Sequence, residues 1–118
     1  MKGTKMIHAM VKMELKPGNR SDAISILHSV AAHVRTKPGC IGCYVYQDTE
    51  QENTILLTEL WSDEEKMLHH LRSRDYQNVL FVMEMAQNEP EIRFNTVEHI
   101  TGVETIKMAR LGTVQELP

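Results

Sequence analysis

The apolar residues of this chain repeat one pattern twice, a period of two, then a helical period, then a period of two again. In the first copy, residues 6–15 alternate strictly between two faces. One of these faces is wholly apolar: Ile7, Ala9, Val11, Met13 and Leu15. After the turn signal Pro17-Gly18, helical spacing runs over residues 23–34 until Pro38-Gly39 ends the helix. Residues 40–48 then read as a strand.

The second copy begins with a predicted strand over residues 54–61. Ser62 and Glu65 form a capping box that starts a helix, and Ser73 can cap its continuation. A fourth strand is predicted over residues 92–100. The order strand, helix, strand, strand, helix, strand predicts a ferredoxin-like α+β fold, βαββαβ, with a four-stranded antiparallel sheet.

Length and charge narrow the class of protein. The chain has 118 residues, which suits one domain, expected at residues 1–102, with a C-terminal tail over 103–118 whose structure the pattern leaves open. The formal net charge is -3 and no basic block occurs, so no nucleic-acid partner is expected. No apolar run could span a membrane and the N-terminus lacks the apolar core of a signal peptide, so we expect a cytoplasmic protein.

The predicted sheet has no face polar enough to lie against water. The strand over residues 6–15 places Met6, His8 and Met10 on the side away from its apolar face. Scattered exposed apolar residues would be one ordinary explanation. The better one is a second sheet packed on this one, and a second copy of the chain would supply it. The sequence therefore predicts a homodimer joined through sheet faces.

Cys40 and Cys43 form a C-x-x-C pair inside a predicted strand. Positions i and i+3 of a regular strand point to opposite faces, so the two sulfur atoms are expected to diverge as ordinary strand residues. His8 and His99 lie on strands that would be neighbours, but no carboxylate stands at a spacing that would complete a site. The sequence therefore predicts no metal.

Several short segments carry a family resemblance. They are Lys16-Pro17-Gly18, Lys37-Pro38-Gly39-Cys40, Gln47-Asp48, Glu59-Leu60-Trp61, His70-Leu71-Arg72-Ser73 and Tyr76. In this strand–helix order, over roughly residues 5–100, the chain resembles the antibiotic biosynthesis monooxygenase family of the dimeric α+β barrel superfamily. The resemblance implies a monooxygenase that oxidises a small quinol or phenolic substrate with molecular oxygen and uses no cofactor.

Other branches of that family break down haem or isomerise a phosphorylated sugar. Haem-degrading relatives carry an Asn and a haem-ligand His where this chain has Val11 and a residue near Leu80, which disfavours haem degradation. The phenol-oxygenating relatives tend to use an Asn near the strand-three Trp, where this chain offers Leu57 and Thr58. The isomerase branch lacks that Trp, so Trp61 argues mildly against it.

Two titratable residues are candidates for catalysis, His70 and Glu59. Histidine titrates near neutral pH and suits acid–base chemistry. Glu59 shares a strand face with Trp61, so burial of that face would require a partner for its carboxylate. Each also has a structural interpretation, as a hydrogen-bonded pair or as contacts to a loop or to the partner chain.

Four aromatic residues are candidates for substrate binding: Trp61, Tyr44, Tyr76 and Phe81. An aromatic wall would hold a substrate ring, and a tyrosine could hydrogen-bond a substrate oxygen. Packing in the core or against neighbouring strands explains the same residues.

Three functions therefore stay open. The first is the monooxygenase, with Trp61 and His70 in its cavity. The second is an isomerase or lyase acting on a small polar metabolite, with His70 as acid–base and with Arg72 or Arg74 turned inward to bind an anion. The third is a non-catalytic small-molecule-binding dimer module, in which Glu59, His70 and Tyr76 are locked in structural hydrogen bonds and leave no cavity.

Overall fold

The structure, a computed structural model, describes residues 5–112. Its strands are β1 (Met6–Glu14), β2 (Cys40–Gln47), β3 (Thr54–Trp61) and β4 (Glu91–Val97), and its helices are α1 (Arg20–Val34), α2 (Glu64–Leu71), α3 (Arg74–Met83) and α4 (Val103–Arg110). A 3-10 turn, Pro17–Asn19, leads into α1. Within this part of the chain no helix combines the length and the apolar character needed to cross a membrane.

The four strands form one open antiparallel sheet in the order β2-β3-β1-β4. β1 lies in the middle, with Ala9 opposite Glu59 of β3 on one side and opposite Phe94 of β4 on the other. Strands that are distant in sequence thus become neighbours through two interlocked strand–helix–strand units. The predicted ferredoxin-like α+β fold is confirmed.

The core lies between one face of the sheet and the helices α1, α2 and α3. Every second residue of β3 is buried there, as its alternation predicts: Ile55, Leu57, Glu59 and Trp61. From α1, Leu27 and Val34 are wholly buried against this face. Glu59 is therefore buried because its position in the strand points to the core, although a carboxylate by itself favours solvent.

The second helical segment is two helices whose starts differ from the prediction in one detail. The predicted cap was Ser62, but α2 begins one residue later, because the Asp63 carboxylate accepts the backbone N–H of Lys66 at 2.8 Å. A carboxylate satisfies this N–H and also interacts favourably with the positive end of the helix dipole. Ser73 caps α3 as predicted, since its hydroxyl accepts the backbone N–H of Tyr76 at 3.4 Å.

A β-bulge corrects the prediction for the two cysteines. Cys40 lies opposite Trp61 and Cys43 lies opposite Glu59, with the register shifting between Cys40 and Gly42. The extra residue restores the phase of the strand, so both cysteines face the core and do not point to opposite faces. Both are free thiols, and Cys43 is fully buried.

The fourth strand is shorter than predicted, and this separates two histidines. β4 ends at Val97, so His99 lies beyond the ladder. His8 is opposite Asn95, and its Nε2 lies 2.7 Å from the hydroxyl oxygen of Thr58. The two histidines therefore do not form a cross-strand pair. Within residues 5–112 no group of three His, Cys, Asp or Glu side chains is arranged to hold a metal.

The outer face of the sheet is not covered by any helix and carries large apolar side chains. Its half-buried or exposed members are Met6, Met10, Tyr44, Tyr46, Leu56 and Leu60. The tail contains α4, whose residues are all exposed, and residues 113–118 lie outside the described part of the chain. The radius of gyration is 16.9 Å, above the roughly 13–14 Å of a compact domain of this length. The exposed helix α4 contributes to this larger value because it packs little against the core.

We predict that Gly39→Ala destabilises the protein by about 1–3 kcal/mol, because Gly39 has φ +86° and an added Cβ would lie 2.6 Å from Cβ of Lys66. Urea unfolding measures the change. Gly18→Ala is the matched control, since an added Cβ at Gly18 meets nothing within 4 Å. Equal free energies of unfolding for both variants would contradict the prediction.

Candidate functional site

A buried polar cluster lies at the end of the core where β3 meets the last turn of α2. Glu59 and His70 are the buried polar residues of the described chain, with 4% and 1% of their surface exposed. Two residues apart on β3, Glu59 and Trp61 point to the same face. The end of α2 places His70 over them, and the first turn of α3 places Tyr76 beside His70.

Trp61 connects the carboxylate to the histidine. Its indole Nε1–H donates to Oε1 of Glu59 at 2.7 Å. Its ring stacks on the imidazole of His70, with centroids 4.9 Å apart and planes 29° apart. Tyr76 contacts the same imidazole edge-on, at 5.4 Å and 86°. The His70 ring is thus held between two aromatic rings, which fixes its orientation.

The two nitrogens of His70 face groups of opposite charge. Nε2 lies 3.3 Å from Oε1 of Glu59, but the two are not aligned for a hydrogen bond, and Nε2 is buried with no other partner. Nδ1 lies 3.4 Å from Nζ of Lys37. An ammonium can only donate, so Nδ1 accepts and the ring proton of a neutral His70 sits on Nε2, beside the carboxylate.

Lys37 continues the polar chain towards solvent. Its ammonium lies 2.7 Å from Oδ2 of Asp75 and donates to the Ser73 hydroxyl at 3.2 Å. The same Asp75 oxygen is 2.7 Å from Nδ1 of the exposed His33. Burial opposes ionisation of Asp75, but the hydrogen bonds from Lys37 and His33 outweigh it and lower the pKa of that carboxyl. Asp75 is therefore the fixed negative charge that holds Lys37 in place.

Three neighbouring acidic groups stay protonated at neutral pH. Burial, and then the negative charge of Glu59, raise the pKa of Tyr76 to about 12. The same two causes raise the pKa of Cys43 to about 12, and burial also raises the pKa of Cys40. Since the thiolate is the reactive form of cysteine, the C-x-x-C pair is not an activated nucleophile here.

A cavity of about 540 Å³ opens beside the cluster, within the usual range for small-molecule sites. Its lining consists of Lys37, Pro38, Trp61, Glu65, Lys66, His69, His70 and Arg72. The connection before β2, the end of β3 and one side of α2 therefore surround it. Trp61 and His70 belong both to this lining and to the buried cluster.

A second recess lies deeper between the sheet and the helices, and it is closed. Leu57, Glu59, Tyr76 and Phe94 are among the residues around it, and it has no free space for a water molecule. Side chains packed at the density of a core fill the region between the sheet and α3. The space for a ligand lies instead at the end of the sheet.

The structure brings together four of the six residues that the sequence indicates for the site: Glu59, Trp61, His70 and Tyr76. Tyr44 lies on the outer sheet face, 48% exposed, with the Arg35 guanidinium 5.3 Å from its ring centroid. Phe81 is 54% exposed and lies on α3, away from this cavity. Neither residue contacts the cluster, because the strand period and the helix period turn them to other surfaces.

Sequence reasoning missed Lys37 and Asp75 as members of the cluster. Lys37 lies 33 positions before His70, and only the fold brings them into contact. A signal was available in the segment Lys37-Pro38-Gly39, which carries part of the family resemblance. Arg72 lines the cavity and Arg74 does not, which separates two arginines that the sequence left equivalent.

Comparison with known proteins gives a family and two relatives. The sequence model of the antibiotic biosynthesis monooxygenase family matches residues 6–80. YcnE of Bacillus subtilis (strain 168), whose own assignment as a monooxygenase is provisional, is 28% identical over 72 residues, covering 61% of this chain and 76% of that protein. The uncharacterised Synechocystis protein sll1783 is 25% identical over 61 residues, covering 52% of this chain and 42% of that protein, so the chain spans less than half of its length.

Solved structures share the fold. A conserved protein from Methanosarcina mazei Go1 superposes with a TM-score of 0.74 at 24% identity, over 80% of this chain and 95% of that chain. Rv0793 from Mycobacterium tuberculosis also superposes with a TM-score of 0.74, at 15% identity, over 82% of this chain and 99% of that chain. At these identities the likeness shows the fold alone.

We predict that Tyr76→Phe reduces the loss of stability at alkaline pH. A pKa raised to about 12 means that, above its ordinary value near 10, the unfolded chain releases this proton while the folded chain keeps it. Stability therefore falls as pH rises from 10 to 12, by about 1 kcal/mol for this group at pH 11. Urea unfolding at pH 7.5 and pH 11 measures it. Equal losses in wild type and Tyr76→Phe would contradict the prediction.

Proposed function

We propose, because the chain belongs to the antibiotic biosynthesis monooxygenase family, that it oxidises a small quinol or phenolic substrate with molecular oxygen, without a cofactor. Family membership and the likeness to YcnE support a monooxygenase-like role. The observation that carries the proposal is the His70 ring, which lines the cavity while its two nitrogens face Lys37 and Glu59. This arrangement suits the removal of a proton from a phenol.

His70 is the proposed general base. Its Nδ1 atom is turned towards Lys37, which also lines the cavity, and their 3.4 Å contact is long for a hydrogen bond. A phenolic hydroxyl that replaces this contact gives its proton to Nδ1. The imidazolium formed then holds its Nε2 proton beside the Glu59 carboxylate, which stabilises the new charge.

Lys37 and Trp61 have complementary proposed roles. The Lys37 ammonium, fixed by Asp75, stabilises the phenolate that deprotonation produces. The Trp61 indole forms an aromatic wall against which the substrate ring packs. An electron-rich phenolate is the species that passes an electron to oxygen.

The proposed reaction balances without an external reductant. A hydroquinone and O2 give a hydroxyquinone and water, so one oxygen atom enters the ring and the other leaves as water. The substrate supplies all four electrons. The phenolate gives one electron to O2, the radical pair combines to a carbon-bound hydroperoxide, and loss of water leaves a carbonyl. The proton taken up by His70 returns in that water.

An isomerase or lyase acting on a small polar metabolite is the second candidate. One observation favours it: Arg72 lines the cavity together with Lys66, so a polar, anionic ligand could be held beside His70. The non-catalytic module requires a cluster that leaves no cavity. The cavity of about 540 Å³ at Trp61 and His70 disfavours that alternative.

We predict that purified, metal-stripped protein takes up oxygen with members of a panel of hydroquinones and polycyclic phenols, after correction for autoxidation. His70→Gln should lower uptake by about 100-fold, since it removes the general base. Glu59→Gln keeps an acceptor for Trp61 but removes the charge, and should lower uptake by about tenfold. His28→Gln, an exposed histidine of α1, is the control. Uptake that is unchanged in His70→Gln would refute the mechanism.

We also propose that two copies associate through the outer sheet face to form the dimeric α+β barrel. Tyr44 and Tyr46 are 48% and 53% exposed there, beside half-buried Leu56 and Leu60. An apolar sheet face of this kind is stable when another sheet covers it. The chain itself provides no second sheet within residues 5–112.

We predict twice the chain mass of 13.6 kDa in sedimentation at micromolar concentration. Tyr46→Glu should shift the protein towards monomer, because it buries a charge in the interface. Phe81→Glu is the matched control, since Phe81 is equally exposed, at 54%, but lies on α3. A wild-type monomer, or dissociation by both variants alike, would contradict the proposed interface.

A further inference from the structure

The lining of the cavity has more cationic than acidic side chains. Three of its lining residues have basic side chains, Lys37, Lys66 and Arg72, although the whole chain has a net charge of -3. Lys37 is paired with Asp75 at 2.7 Å. Within residues 5–112, no carboxylate oxygen lies within 4.0 Å of a side-chain nitrogen of Lys66 or Arg72.

Both cations are placed by the backbone. The stem of Lys66 packs so closely on Gly39 that a Cβ there would lie 2.6 Å from its Cβ and Cγ, and Asp63 caps the Lys66 N–H. Arg72 is the residue at which α2 ends, its N–H bonded to the carbonyl of His69 at 3.2 Å. Helix α2 and the residue that ends it thus place both side chains in the lining of the cavity.

The lining also has apolar members. They are Trp61 and Pro38, and the His70 ring stacks on Trp61. One negative group, Glu65, lies among the lining residues and opposes the two cations. A ligand that satisfies these walls has a flat apolar ring for Trp61 and an oxyanion for the cations. Arginine suits a planar carboxylate or a phosphate, because its guanidinium donates two parallel hydrogen bonds.

We propose that the substrate carries an oxyanion beside its ring, a carboxylate or a phosphate, and that Lys66 and Arg72 bind it. This inference rests on the proposed function, because it specifies the substrate class of the same cavity. The oxyanion anchors the ring in one orientation, so that the reacting hydroxyl points to Lys37 and His70 and not to solvent. Glu65 opposes the two cations and weakens anion binding at this subsite.

The test compares small phenolic ligands with and without an anionic group. Hydroquinone, 2,5-dihydroxybenzoate and 4-hydroxyphenyl phosphate are titrated without oxygen, and the fluorescence of Trp61 reports binding because it is the one Trp of the chain. At least one anionic ligand is expected to bind about tenfold more tightly than hydroquinone. That advantage should shrink in high salt, because ionic strength screens an exposed charge pair.

Variants locate the anion. Lys66→Gln and Arg72→Gln should each remove most of the anionic advantage, and hydroquinone binding should change by a smaller factor. Glu65→Gln should increase the advantage, because it removes the opposing charge. Arg74→Gln is the matched control, an exposed arginine two positions along that does not line the cavity.

Several outcomes would overturn the inference: binding of both anionic ligands no tighter than hydroquinone, absence of quenching by all three at millimolar concentration, or a loss in Arg74→Gln equal to that in Arg72→Gln. The measurement needs no turnover, so its failure differs from failure of the proposed function. Selective anion binding without oxygen uptake would keep the subsite and refute the oxygenase. Oxygen uptake without selective anion binding would support the oxygenase and overturn the proposed anion subsite.

Discussion

The hydrogen bond from Trp61 to Glu59 is the interaction on which this end of the molecule depends. Glu59 is 4% exposed, and an ionised carboxylate in such a place costs several kcal/mol unless donors and positive charge surround it. The indole donates at 2.7 Å, and the His70 ring lies 3.3 Å from the same oxygen. Both partners come from elements that the burial of β3 already brings together.

That requirement extends through the layers of the fold. His70 faces Lys37, Lys37 is held by Asp75, and Asp75 also contacts His33 at the surface. Along this path His70 and the Lys37 ammonium lie between the carboxylates of Glu59 and Asp75. The path joins β3, the end of α2, the start of α3 and the connection between α1 and β2. The geometry of the site therefore depends on how α2 and α3 are oriented over the sheet. A shift of either helix would separate groups that are in contact along this path.

The position of the cavity follows from the same packing. Core side chains fill the region under α3, so the recess at Glu59 and Tyr76 is closed. Beyond the end of the sheet, side chains do not fill the space in this way. β3 ends there at Trp61, and α2 begins after its N-cap Asp63. The lining of the remaining cavity combines the aromatic ring of Trp61 with the cationic side chains of Lys66 and Arg72. The chemistry available to a ligand there is set by these two surfaces together.

Local pattern was sufficient for the fold and for part of the site. The alternation of β3 by itself places Glu59 and Trp61 on one face, and the spacing of apolar residues predicts helical segments on both sides of it in the chain. Local pattern did not predict the β-bulge after Cys40, which turns both cysteines to the core. The bulge depends on how β2 pairs with β3, and the sequence of β2 alone does not reveal that pairing.

The sequence by itself thus determined which residues of most strands and helices share a face and in what order these elements occur, because period and capping are local properties. Tertiary structure alone decided that Lys37 and Asp75 complete the cluster, that Tyr44 and Phe81 lie outside it, and that Arg72 and not Arg74 reaches the cavity. Contacts between positions tens of residues apart depend on the crossing of elements, and no short-range pattern encodes that crossing.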